Sequence, residues 1–233
     1  MTLPKMNEVS KYRLTIPSTK QEVTYRPFYV KEQKTLLIAM ETGEEDDLIN
    51  AIIDTIDACM IENINVHKLP TFDIEYIFTQ IRAKSIGEES ELIMGCGECG
   101  THNDVIIKLE DIKIALNSYN NEINLSDQFK IILRYPTYKD LKMINEGKTE
   151  TEKLFNTIII CLDKLVTEDE IINFIDETRE DKEEFLNNLT PKQFAEVTKF
   201  IQNMPALEYN SEFICKNCET VNKYNVKGLR DFF

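Results

Sequence analysis

Four cysteines in two matched pairs carry the strongest chemical signal in this chain. One pair lies in Met94-Gly95-Cys96-Gly97-Glu98-Cys99-Gly100 and the other in Ile214-Cys215-Lys216-Asn217-Cys218-Glu219. A C-x-x-C spacing lets both sulfurs face one point, while backbone N–H groups of the turn donate to the thiolates and spread their charge. One such knuckle supplies half a tetrahedron, so two make a closed site with no open position for a substrate. Cys96, Cys99, Cys215 and Cys218 are therefore expected to hold one structural Zn2+. That ion would tie together stretches of chain more than a hundred residues apart. A redox C-x-x-C would follow a strand and open a helix, a context that neither pair shows. His102 is a rival ligand by position but reads better as an exposed loop residue, and His67 as a surface residue. Cys59 and Cys161 fall on apolar helix faces and read as small core residues.

The surrounding pattern says what must position these turns. Tyr12, Leu14 and Ile16 alternate, break at Pro17-Ser18-Thr19-Lys20, and resume with Val23 and Tyr25, which predicts a β-hairpin. Leu36, Leu37 and Met40, then Ile49, Ile52, Ile53, Ile56 and Met60, recur at helical spacing and predict two helices separated near Gly43. A third helix follows Pro70, with Thr71 as its N-cap and Ile74, Ile77, Phe78 and Ile81 on one face. Glu91 to Met94 and Val105 to Leu109 predict strands on either side of the first cysteine turn. Phe129, Ile131 and Leu133 predict another. From about Thr137 to Asn203 the spacing reads as helical throughout, including Ile171, Ile172 and Ile175, with Pro191 in the first helical position of the last helix. Strands return at Ser211 to Ile214 and Thr220 to Val226.

The expected fold class is α+β, mostly helical, with an N-terminal β-hairpin and a split zinc ribbon whose two knuckles are joined across a helical insertion. The segments divide as a hairpin over 1–28, helices over 29–90, the first knuckle over 91–110, a mainly helical insertion over 111–210, and the second knuckle and tail over 211–233. No repeat of fixed period is evident beyond the two cysteine turns.

Composition narrows the function. The 233 residues carry a formal net charge of -14 at pH 7. Such a surface repels phosphate backbones and anionic headgroups, which disfavours nucleic acid and membrane as main partners. No apolar run reaches bilayer length, and the first residues lack a signal-peptide core, so a cytoplasmic protein with reduced thiols is expected. With two histidines, no Walker-type loop and no H-E-x-x-H, nothing points to catalysis or to a small-molecule substrate. Gly95 to Gly100 spells G-x-G-x-x-G, but a strand follows where a dinucleotide site needs a helix. The acidic runs Glu44 to Asp47 and Asp176 to Glu184 read as solvated helix starts and polar faces.

Several stretches together carry a family resemblance. Leu14-Thr15-Ile16-Pro17-Ser18-Thr19, Tyr25-Arg26-Pro27-Phe28, Val30 to Lys34 and Leu36 to Ala39 resemble the T4-type bacteriophage baseplate hub family. So do Leu69-Pro70, Phe72 to Phe78, Ile81 to Glu88 and the closing Gly228 to Phe233. The resemblance implies a non-enzymatic hub subunit or hub assembly protein of a contractile-tailed phage. Such a protein would be made in the host cytoplasm, be destined for the tail baseplate, and bind other hub or tail proteins. Candidate partner-binding residues are Arg26, Phe28, Arg82, Lys84, Phe232 and Phe233. For Arg82 and Lys84 the competing reading is local, as cations at a helix C-terminus. The alternative function is a zinc-ribbon regulator that binds polymerase or nucleic acid, which the net charge opposes. A thiol redox enzyme is a third reading.

Overall fold

The computed structural model describes residues 10–114 and 120–227. The closing Phe232 and Phe233 lie outside the described residues. The chain divides into two compact units: Met1–Ala115 with Ala206–Phe233 form one, and Leu116–Pro205 form the other.

The first unit opens with the hairpin of β1 (Tyr12–Thr15) and β2 (Glu22–Tyr25), paired so that Tyr12 faces Tyr25 and Leu14 faces Val23. Its period-two pattern buries Leu14, Ile16, Val23 and Tyr25 on one side. Helices α1 (Val30–Thr42) and α2 (Glu45–Cys59) follow, and Gly43 at φ 71° ends the first in the left-handed conformation that glycine adopts without steric cost. Helix α2 buries Ala51, Ile52, Ile53, Ile56 and Cys59. Helix α3 (Thr71–Ser85) buries Phe72, Ile74, Ile77, Phe78 and Ile81, and its N-cap is Pro70 rather than Thr71. The cap shifts by one because Pro70 has the extended backbone (ψ 154°) that an N-cap needs, leaving Thr71 as the first helical residue.

Strands β3 (Glu89–Gly95) and β4 (His102–Lys108) form the first knuckle hairpin. A short 3₁₀ turn leads to β5 (Lys113–Ile114).

The second unit is built on an antiparallel sheet in the order β6-β7-β8-β9. Its strands are β6 (Glu122–Asn124), β7 (Lys130–Leu133), β8 (Leu162–Val166) and β9 (Ile171–Asn173). Helices α4 (Tyr138–Asn145), α5 (Glu150–Cys161), α6 (Arg179–Asn187) and α7 (Pro191–Gln202) complete it. Its core gathers Ile131, Leu133, Ile158, Cys161, Leu162, Phe174, Val197 and Phe200. The expectation of helical spacing throughout from about Thr137 to Asn203 is corrected at residues 162–173. Leu162 takes an extended backbone that ends α5, β8 pairs with β7, and β9 pairs with β8. Ile171 and Ile175, read as a buried helix face, are 62% and 87% exposed, and Phe174 is the residue buried between them.

The chain then returns to the first unit as β10 (Leu207–Ile214) and β11 (Val221–Lys227), which with β5 form a sheet in the order β11-β10-β5. Beneath the knuckle hairpins lies a small core of Ala83, Ile107, Leu109, Ile112, Leu207 and Val226. The architecture is a mixed α and β fold with small sheets. Strand is more extensive than a mostly helical chain would carry, because β8 and β9 replace expected helix.

Candidate metal centre

Each cysteine turn sits at the tip of a hairpin whose strands set its direction. In the first, the Cys96 amide donates to Thr101 O (2.9 Å) and the Gly100 amide to Cys96 O (2.9 Å). In the second, the Cys215 amide donates to Thr220 O (2.9 Å) and the Glu219 amide to Cys215 O (3.0 Å). The residue after the second cysteine has a left-handed backbone in both turns, Gly100 at φ 70° and Glu219 at φ 59°. The two tips therefore share one local geometry.

This geometry brings the four expected cysteines together. The Sγ atoms of Cys96, Cys99, Cys215 and Cys218 all lie within 4.8 Å of one another. Across the two turns, Cys96 Sγ is 3.6 Å from Cys218 Sγ, and Cys99 Sγ is 3.6 Å from Cys215 Sγ. A tetrahedral ion with metal–sulfur bonds of about 2.3 Å requires sulfur–sulfur edges of about 3.8 Å. The spacing fits that requirement and is too long for a disulfide, whose S–S length is about 2.05 Å. All six cysteines are free thiols. Four sulfurs so arranged can hold one metal ion. His102 lies outside the cluster, exposed at the start of β4.

The surroundings favour thiolate on some sulfurs. Hydrogen bonds from the Cys99 and Glu98 amides hold the Cys96 thiol below its ordinary value. Cys99 is brought down to about 5, chiefly by its bond to the Thr101 hydroxyl (3.3 Å) and by the Thr101 amide. Cys218 bonds to the Thr220 hydroxyl (3.3 Å), yet the neighbouring Cys99 sulfur, burial and the Cys96 sulfur push it up overall. A cation at the centre would favour the thiolate form of its ligands and displace their protons.

Residues that the cysteine spacing alone does not reveal complete the site. Asn103 Nδ2 donates toward Cys215 Sγ (3.8 Å) and Asn222 Nδ2 toward Cys96 Sγ (3.5 Å). The Asn217 amide donates to Cys215 Sγ (3.5 Å). A readable signal for the side chains exists: Thr and Asn follow both pairs at the same positions, so each turn spells C-x-x-C-x-T-x-N.

The candidate partner residues lie elsewhere in the first unit. Arg26 pairs with Glu32 (2.8 Å), donates to Ala58 O (2.8 Å), and lies 4.4 Å from the centre of the Tyr29 ring. Phe28 is buried, and its amide donates to Ser85 Oγ (2.9 Å). Arg82 is half-buried, while Lys84 pairs with Glu88 and lies over the Tyr12 ring.

A four-sulfur cluster in a mixed α and β frame is the class that fold and site define. Residues 9–233 match the T4 bacteriophage base plate protein family, and the chain belongs to that family. No curated protein and no solved structure matches it significantly. Among the described residues, no helix is long and apolar enough to cross a membrane.

Proposed function

We propose that this chain is a structural or assembly protein of the baseplate hub of a contractile-tailed phage, and that it works through contacts with other hub or tail proteins rather than by catalysis. The family match over nearly the whole chain carries this reading. The frame would be stapled by a Zn2+ held by Cys96, Cys99, Cys215 and Cys218 as a split zinc ribbon, with assembly in the host cytoplasm. A closed set of four cysteine ligands leaves no coordination position for a substrate, in keeping with a structural role. Lys84 and the half-buried Arg82 are proposed partner contacts, as are the tail residues Phe232 and Phe233. Arg26 and Phe28 would act by shaping the surface over α1.

The test is quantitative mass spectrometry of purified particles beside baseplate intermediates from infected cells. A fixed copy number in the particle supports a permanent hub subunit, and presence only in intermediates supports an assembly factor. Absence from both refutes the hub reading. Binding to single-stranded DNA at low salt would instead favour a zinc-ribbon regulator.

A further inference from the structure

The two cysteine turns match beyond their cysteines, and the match is reciprocal in space. Asn103, on the first hairpin, accepts from the Lys216 amide of the second through Oδ1 (2.9 Å) while its Nδ2 faces Cys215 Sγ. Asn222, on the second hairpin, accepts from the Gly97 amide of the first through Oδ1 (2.9 Å) while its Nδ2 faces Cys96 Sγ. Each Asn also donates to the carbonyl of its own turn's threonine, Thr101 O (2.7 Å) and Thr220 O (2.9 Å). An asparagine suits this place because one side chain offers both an acceptor for an amide and a donor for a thiolate.

The correspondence extends back along the chain. After β2, the Arg26 amide donates to Cys59 O (3.0 Å) at the end of α2, and its guanidinium pairs with Glu32, the third residue of α1. After β7, the Arg134 amide donates to Cys161 O (2.7 Å) at the end of α5, and its guanidinium pairs with Asp140, the third residue of α4. Asp73, third in α3, accepts from the Ser18 amide in the turn of the first hairpin (3.0 Å). Gln193, third in α7, donates to Leu125 O in the turn between β6 and β7 (2.7 Å). Each of these helices leads into a C-x-x-C-x-T-x-N hairpin. The offset between matched positions is not constant, which hides the repeat from a fixed-period search.

We infer that the chain is an internal duplication carrying two copies of one half-site, and that Asn103 and Asn222 are positioning residues that clasp each copy's first cysteine from the other copy. The metal centre is then the junction of the two copies. Each asparagine would hold the opposite turn in place and donate to the thiolate that binds the ion, as outer-shell groups do. This role rests on the proposed Zn2+ for its metal-binding part, whereas the clasp itself concerns amides that can be observed without metal.

The experiment uses the full chain, purified unmodified and as N103A, N222A, the double variant and the milder N103S and N222S. The exposed Asn225, bonded to Asn210, supplies N225A as a control on the same strand as Asn222. Amide hydrogen exchange is followed at Gly97 and Lys216, and zinc transfer to a colorimetric chelator is timed. Loss of Asn222 should speed exchange at Gly97 and leave Lys216 protected, loss of Asn103 should do the reverse, and N225A should do neither. Zinc transfer should accelerate at least about tenfold in each single Ala variant, with the Ser variants in between. Unchanged exchange at both amides in the double variant overturns the clasp. Exchange that changes as expected while zinc transfer stays within about twofold of the parent refutes the part played toward the metal. A parent chain without zinc refutes the metal reading alone, since the exchange pattern still decides the clasp.

Discussion

Removing the metal should loosen the unit that holds the knuckles. An ion that binds only the folded chain stabilises it by mass action, about 4 kcal/mol when free zinc is a thousandfold above its dissociation constant. The unit made of Met1–Ala115 and Ala206–Phe233 has about 140 residues. At about 2.1 cal/mol/K per residue, its unfolding entropy is about 0.3 kcal/mol/K, so chelation should lower its midpoint by about 14 °C. Hydrogen-exchange mass spectrometry across a temperature series measures this, with peptides from Ile77 and Ile107 as reporters and peptides from Ile131 and Ile158 in the other unit as the internal reference. Thiol titration on the same samples should find the four cluster sulfurs protected before chelation and reactive after it. Burial pushes the Cys59 thiol up to about 11 and the Cys161 thiol up to about 12, so these two should react only on unfolding. A shift below about 3 °C would refute the coupling of metal to folding. Four thiols already reactive in protein carrying one equivalent of zinc would place the metal elsewhere.

Two further perturbations test the frame. Arg26→Met leaves the buried Glu32 with only the exposed Lys31 (3.4 Å) as a cation and should cost about 3 kcal/mol in urea unfolding. Burial opposes the Glu32 charge, but hydrogen bonds from Arg26 and from the Tyr29 amide hold its carboxyl below the ordinary value. A depressed folded value gives stability that is present above the unfolded pKa of about 4.5 and lost as pH falls through the folded one. The difference between parent and variant should therefore shrink below about pH 4.5, and a constant difference would contradict the pairing. Asp73 has the opposite sign: burial raises its carboxyl above the ordinary 3.8, against the lowering effect of the Ser18 hydrogen bonds. Its contribution is full below the unfolded value and declines as pH rises through the folded one. Asp73→Asn does not titrate, so its stability relative to the parent should rise as pH increases above about 4. A flat or falling difference in urea unfolding would contradict the upward shift of the Asp73 carboxyl.

Sequence alone determined what depends on neighbours close in the chain. The hairpin over Tyr12 to Tyr25, the helix pair ending at Gly43 and Cys59, and the two cysteine turns are all local patterns of period, breaker and spacing. The family resemblance was legible for the same reason, since runs such as Tyr25-Arg26-Pro27-Phe28 are contiguous. Tertiary structure decided the rest. Leu162–Val166 became a strand because the distant β7 offers it backbone partners, and Ile171–Asn173 then pairs with that strand, while Ile171, Ile172 and Ile175 mimic a helical face by chance of spacing. The four sulfurs lie within 4.8 Å only because two distant hairpins meet tip to tip. Asn103 and Asn222 look like ordinary polar strand residues until that meeting gives each an amide and a sulfur from the other hairpin. A hydrogen bond across more than a hundred residues leaves no periodicity in the sequence, and only the fold can place its two ends together.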